Sequence, residues 1–290
     1  MKEKPFSKYQ ILANAVMIIW TLAIILPFIL LFMSSITDEN TLVANGYSFF
    51  PKKFSLASYS YIIKSGGQIL KAYGVSIGVT VVGTLLNVLL SALMAYPLSV
   101  KNLPGRNVMM FFVFFTMLFN GGIVPSYIMW TGTFHIKDTI FAQLLPNFLL
   151  SAWNVMMIRT YFTTSIPDGL YEAAEIDGAS QFTIFWKIVL PLGKPILVTM
   201  GTFAGLAYWN DWTNGLYYIV KNTGLYNVQN LLNQMVQNIQ FLTQSSNSNV
   251  TAAASTIPAT GIQMAIAFVA ILPIMLIFPS FQKYYAKGIA

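Results

Sequence analysis

Long apolar stretches alternate with short polar ones along the whole chain. Mainly apolar runs occupy residues 11–33, 73–100, 108–130, 139–158, 195–220 and 261–281. Each is close to the ~20 residues that an α-helix needs to cross a bilayer core about 30 Å thick. The pattern predicts an all-α membrane protein in which 1–290 forms a single transmembrane domain with six spans. The first run is too long for the apolar core of a signal peptide, and no Ala-x-Ala pattern follows it. It reads as an uncleaved first span. The fourth run is less uniform and is interrupted by Pro146. Prolines at 27, 97, 125, 146 and 273 fit helices that kink or break along a pathway, and equally fit simple bundle packing.

Three of the five intervals between these runs are long and polar. Residues 34–72 end in Leu56–Ile63, read as one helix along the membrane surface. Within 221–260, Leu225, Val228, Leu231, Leu232, Met235, Val236 and Ile239 recur at three- and four-residue spacing, which predicts an amphipathic helix. The stretch QSSNSNVTAAAST that follows has linker composition. The third interval, 166–194, carries four of the nine acidic residues: Asp168, Glu172, Glu175 and Asp177.

Composition supports the membrane assignment. Hydrophobic residues make up 56% of the chain and charged residues 9%, far below the ~25% of a soluble domain. With no cysteine, thiol chemistry, disulfides and Cys-ligated metals are excluded. The net charge of +7 could suggest nucleic acid, but no basic cluster stands beside stacking aromatics. Basic residues in a membrane protein more often set topology. With the N-terminus inside, the inner segments hold ten basic residues (Lys2, Lys4, Lys8, Lys101, Arg106, Arg159, Lys187, Lys194, Lys283, Lys287) and the outer ones six (Lys52, Lys53, Lys64, Lys71, Lys137, Lys221). Both termini, and residues 166–194, are therefore expected in the cytoplasm.

Residues 166–194 read as two short helices. Ser165 or Thr164 is the expected cap of the first, with Pro167 in its first turn and Asp168 at the positive end of its dipole. Gly178 is expected to end it in a left-handed conformation. Ser180 is expected to cap the second, which ends before Pro191. Two alanines beside a glutamate, then a glycine, make a surface that another protein can approach closely.

Here a resemblance becomes specific. Glu172-Ala173-Ala174-x-x-Asp177-Gly178-Ala179, followed by Ile188-x-Leu190-Pro191, resembles the "EAA" loop of bacterial ABC importer permeases. That likeness implies a type I ABC importer permease fold and a cytoplasmic coupling helix that docks on an ATP-hydrolysing subunit. Glu172, Ala173, Ala174, Asp177, Gly178, Ala179, Leu190 and Pro191 would be the docking residues. Trp209-Asn210-Asp211-Trp212 resembles a signature of carbohydrate-uptake permeases related to the maltose transporter. Residues 120–127 (NGGIVPSY) and Ile257-Pro258…Leu272-Pro273 resemble the branch that imports complex oligosaccharides, aldouronate and alginate types included. Phe281–Gly288 resembles that family's C-terminal segment and implies an ATPase contact through Gln282, Lys283 and Gly288. Relatives often carry a further glycine-rich tail after this glycine; Ala290 is the last residue here. The resemblance runs from Pro27 to Gly288. It implies a second homologous permease, two ATP-binding subunits carrying ATP and magnesium, an extracellular solute-binding protein, and a place in the bacterial cytoplasmic membrane.

Asp211 is the only acid well inside an expected span, and burial of an ionisable group at that depth is costly. With Tyr208, Trp209, Asn210 and Trp212 it offers the carboxylate, amide and aromatic faces that hold sugars. An interhelical bond that only holds the bundle together is an equal reading. His135 is read as a solvated loop residue, and no acid or histidine cluster has metal-ligand spacing. No G-x-x-x-x-G-K-[ST] loop occurs, so this chain is not expected to be an enzyme and ATP hydrolysis would fall to a partner. An autonomous secondary transporter or channel is the alternative, for which only Asp211 offers a coupling group. A membrane enzyme would need paired acids or a nucleophile–base pair, and none is visible.

Overall fold

The computed structural model describes residues 8–64, 66–244 and 259–288. The described residues are helical throughout apart from loops and one isolated bridge between Thr37 and Phe54. They divide into two compact units, Met1–Gly67 with Leu232–Pro273, and Gln68–Leu231 with Ile274–Ala290.

In the first unit, α1 (Lys8–Ser35) is apolar on all sides and exposed from Tyr9 to Ile29, the signature of a helix that lipid or another chain must cover. Two short helices follow, α2 (Glu39–Asn45) and α3 (Ala57–Lys64). The latter matches the expected helix at 56–63. The Glu39 carboxylate receives the N–H groups of Thr260 and Gly261, each at 2.8 Å. These belong to the first turn of the last helix (Ala259–Gly288), so a negative charge sits where the helix dipole is positive. Phe32 packs on Phe268 with ring centroids 4.9 Å apart.

The second unit is organised on α4 (Gly66–Ser99). This helix carries a polar stripe, Thr80, Thr84, Asn87 and Ser91, at helical spacing. Asn87 donates to Phe148 O at 2.6 Å and accepts from Asn154 Nδ2 at 2.7 Å. Then come α5 (Arg106–Leu118), α6 (Ile123–Thr133), α7 (Phe141–Leu144), α8 (Ala152–Ser165), α9 (Asp168–Ile176), α10 (Gln181–Leu192), α11 (Lys194–Asn210) and α12 (Thr213–Tyr218). Close packing of α4 on α11 depends on small residues. A Cβ at Gly201 would meet Val88 at 3.3 Å, and one at Gly205 would meet Thr84 Oγ1 at 3.3 Å. Such positions let membrane helices approach without a hydrophobic driving force. The core joins Tyr96, Val113, Val155, Ile158, Phe162, Phe185, Val189, Ile196 and Met200, drawn from α4, α5, α8, α10 and α11. The expected amphipathic helix is α13 (Val228–Gln244), and the last, α14, is Ala259–Gly288. The linker after Gln244, and Ile257 and Pro258, lie outside the described residues.

Several expected spans are not single helices. Among the described residues two helices, Tyr9–Ser35 and Gly67–Ser99, are long and apolar enough to cross a membrane. The number rises to four if α5 with α6 and α10 with α11 each count as one broken span. The third run, 108–130, breaks at Gly122 (φ +86), and α5 and α6 meet at 109°. The fourth, 139–158, is in pieces because Pro146 and Asn147 (φ +66) interrupt it between α7 and α8. The fifth, 195–220, stops at Asn210, since Asp211 is extended (ψ 122) and a new helix starts at Thr213. Apolar content and length set the runs, but buried polar side chains hold the chain bent inside them.

Candidate functional site

The loop between α8 and α11 is built on the core of the second unit. Pro167 forces Ile166 into an extended conformation (φ −106, ψ 114), so α9 can begin only at Asp168. This corrects the expected cap. Ser165 still belongs to α8, the Thr164 hydroxyl returns to Thr160 O at 3.0 Å, and Pro167 itself occupies the cap position without a side-chain bond. The end of α9 is as expected. Gly178 has φ +75; its N–H bonds Glu175 O at 3.0 Å, and Ala179 N–H bonds Ala174 O at 2.9 Å. That pair of bonds is the Schellman arrangement. Ser180 caps α10 by accepting from Thr183 N at 3.2 Å. The second helix does not end before Pro191, however. It continues to Leu192 through a widened turn, Phe185–Val189. The wide turn admits the proline, which has no N–H to offer an ordinary helical bond. The bend of 79° between α10 and α11 falls instead at Gly193, where a side chain would press on Phe162.

One face of α9 is anchored and the other is open. Ala174 is buried, and Tyr171 stacks on Tyr96 at 6.4 Å between centroids. Burial pushes the Tyr171 phenol above its ordinary value. Tyr96 also packs on Phe185 at 5.4 Å and donates to Gln181 Oε1 at 2.5 Å, and Gln181 Nε2 donates to Glu175 Oε1 at 2.9 Å. Lys101 reaches Asp168 at 2.5 Å, both side chains exposed. Opposite, Glu172, Ala173, Asp177 and Gly178 are exposed, beside the exposed apolar side chains of Leu170 and Ile176. Ala179 and Leu190 are half-buried against the core, and Pro191 is exposed. The loop is thus a fixed elbow with an apolar, acid-edged outer surface.

The second group, around Asp211, does not gather on one surface. Tyr208 is buried, its hydroxyl donating to Leu144 O at 2.9 Å and its ring filling the space above Gly83. Trp209 is buried with its ring 6.3 Å from Tyr73, whereas Asn210 and Trp212 are exposed. Asp211 is 5% exposed. Its Oδ1 accepts from Thr213 N (3.0 Å), Thr213 Oγ1 (2.7 Å) and Asn214 N (3.2 Å), capping α12. Its Oδ2 is buried and has no hydrogen-bond partner. Around it lies an amide network. Asn227 Nδ2 donates to Asp211 O at 2.6 Å, Asn214 Nδ2 to Pro146 O at 3.1 Å, and Asn230 Nδ2 to Trp212 O. Gln143 joins Leu225 O and Asn227 at 3.2 and 3.3 Å. These amides, and Tyr96, were missed in the sequence. The available signal was Asn or Gln inside an otherwise apolar run, as at Asn87, Gln143, Asn154 and Asn214.

The backbone at Gln282, Lys283 and Gly288 continues α14, and their side chains lie outside the described residues. His135 is exposed with φ +52. Among the described residues no group of three acids or histidines could hold a metal.

Comparison with known proteins adds independent findings. The family model described as binding-protein-dependent transport system inner membrane component matches residues 73–290. The protein LplC of Bacillus subtilis is 36% identical over 264 residues, covering 91% of this chain and 87% of that protein. The polygalacturonan/rhamnogalacturonan transport system permease protein YtcP of the same organism is 35% identical over 280 residues, covering 97% and 96%. A solved bacterial ABC transporter involved in the import of the acidic polysaccharide alginate superposes with a TM-score of 0.80 at 26% identity, over 97% of this chain and 100% of that one.

Proposed function

Because the chain belongs to the family of inner membrane components of binding-protein-dependent transport systems, we propose that it is one of two permease subunits of an ATP-driven importer. It moves oligosaccharides, uronate-containing ones among them, across the bacterial cytoplasmic membrane by alternating access. The observation that carries this reading is the elbow formed by α9 and α10. Its inner face is locked to α4 and its outer face presents Glu172, Ala173 and Asp177 to a partner. Closure of a pair of ATPases would move such an elbow as one body and, through Tyr96 and the core, shift the inner end of α4. The bend at Gly193 passes the same movement to α11. The permease forms no covalent bond. It converts displacement at one membrane surface into rearrangement of helices that reach the other.

The acidic-polysaccharide substrate class is supported by the names of YtcP and of the alginate importer. It also bears on Asp211. A carboxylate committed to capping α12 and buried behind Tyr208 and Trp209 is a poor direct contact for a uronate, since like charges repel. The exposed Asn210 and Trp212 are the better candidates for the sugar path, as an amide and an aromatic face without charge. ATP and magnesium would bind the partner subunits, and both termini would lie in the cytoplasm. The solute-binding protein would deliver sugar from outside. The test is a reconstituted complex with its binding protein, assayed for ATPase stimulation and uptake against neutral and acidic oligosaccharides. Stimulation by acidic oligosaccharides supports the reading. Uptake by the chain alone, without an ATPase, overturns it in favour of an autonomous transporter.

A further inference from the structure

At the end of the second unit where α4 and α8 meet the loop stand two arginines, Arg106 on α5 and Arg159 on α8. Arg106 opens α5, and its Nε is buried without a hydrogen-bond partner. Arg159, on α8, donates through Nε to Leu98 O at 3.2 Å. Burial, and then the charge of Arg106, lower the Arg159 guanidinium from its ordinary value. Among the described residues the ion pairs are Lys53–Asp38 and Lys101–Asp168, and neither arginine takes part. Asp168, the acid in the first turn of α9, is held by Lys101. Like charges on partly desolvated groups are costly unless an anion joins them. The N-terminus of α5 adds to the demand, because Gly105 supplies no side-chain cap there.

An apolar groove of about 470 Å³ is lined mainly by residues of α4, α5 and α8. Met109, Val113 and Thr116 stand three, seven and ten residues beyond Arg106, on the same face of α5. Val155 and Ala152 stand four and seven residues before Arg159, on the same face of α8. Leu98, whose carbonyl holds Arg159, lines the groove from α4. From Arg106 to Thr116 α5 rises about 15 Å, half of a ~30 Å hydrocarbon core and so the depth of one leaflet.

We propose that this is a binding site for an anionic phospholipid, with its phosphodiester between Arg106 and Arg159 at the start of α5 and an acyl chain in the groove. The arginines supply charge and paired donors matched to phosphate oxygens, and the groove supplies the apolar contact that a soluble anion cannot use. The bound lipid would tie α4, α5 and α8 together beside the elbow.

The test uses the full chain purified in neutral detergent, examined by native mass spectrometry and thermal melting with phosphatidylglycerol, phosphatidylcholine or inorganic phosphate as separate probes. Phosphatidylglycerol adducts are expected to exceed phosphatidylcholine adducts about thirtyfold, the effect of two arginine–phosphate contacts at a membrane surface. Only the anionic lipid should raise the melting temperature. The pair R106Q/R159Q should abolish the preference, and R106K/R159K should keep part of it. Met109→Trp, which fills the groove from an exposed position and leaves both arginines in place, should weaken lipid binding and serves as the test if the Gln pair does not fold. Equal binding of the two lipids, a preference that survives both R106Q/R159Q and Met109→Trp, or an equal shift from inorganic phosphate would each overturn the proposal. So would a cross-link from Met109→Cys to a second permease in the assembled complex, since the groove would then be covered by protein.

Discussion

The hydroxyl of Tyr96 donates to Oε1 of Gln181 across 2.5 Å, joining the C-terminal end of α4 to the second arm of the loop. Through the other end of the same amide, Gln181 holds Glu175 of α9. Tyr96 therefore touches both arms, since its ring also lies on Tyr171 and Phe185.

Tyr96→Phe keeps the ring contacts and removes the hydrogen bond. The expected loss of stability is about 1 kcal/mol, read as a lowered melting temperature in detergent. In the reconstituted complex, association with the ATPase should persist while ATPase stimulation by loaded binding protein falls. Wild-type stimulation would show that the α4–elbow link plays no part in transmission.

At Gly178 the constraint is conformational. Its φ of +75 lies in the left-handed region, and a Cβ there would meet nothing within 4 Å. An L side chain therefore costs roughly 1–2 kcal/mol through the backbone alone. Gly178→Asn should be tolerated best, Gly178→Ala less well and Gly178→Val worst. The ranking should appear in ATPase stimulation with the protein still in the membrane. An equal response to all three would mean that the turn after α9 is not held in the bound state.

Asp211 can be divided into its charge and its cap. Asp211→Asn retains an oxygen for Thr213 and Asn214 and should melt close to wild type. Asp211→Ala removes the cap of α12 and should cost about 1 kcal/mol or more. If Asp211→Asn assembles and melts normally but uptake changes, the charge faces the transport path. Normal uptake confines Asp211 to holding α12.

Asp138 ties two loops of the second unit. Its Oδ1 accepts from the N–H groups of Val220, Lys221 and Asn222 at 2.7, 2.7 and 3.2 Å. The bond from Lys221, then that from Val220, together with the charge of Lys137, hold its carboxyl below the ordinary value of 3.8. A lowered folded-state value means that the stabilisation is complete above the unfolded value and is lost as pH falls through the folded one. The join should therefore be insensitive between pH 6 and 8 and loosen below about pH 4. Amide hydrogen exchange at Val220–Asn222 measures this. In Asp138→Asn the added exchange at low pH should disappear, and acid loosening that persists in that variant would assign it to another group.

The sequence by itself determined that the chain is helical and belongs in a membrane, because 56% hydrophobic and 9% charged residues leave no other low-energy place for runs of this length. It also determined the local form of the elbow. Gly178 and Ser180 act through their own backbone neighbours, and such short-range chemistry can be read from residue order. The first cap was misread because Pro167 acts backwards on Ile166 and delays α9 to Asp168. Tertiary structure alone decided where the spans break, since the bends at Pro146 and Asp211 rest on Asn214, Asn227, Asn230 and Gln143, partners up to 87 residues apart in the chain. It also decided the standing of the Trp209–Trp212 stretch. Four adjacent residues look like one site on paper, but a helix end turns Trp209 and Asp211 inward and leaves Asn210 and Trp212 outside. The groove shared by α4, α5 and α8 is likewise invisible in sequence, because Leu98, Met109 and Val155 line one surface only when the three helices pack together.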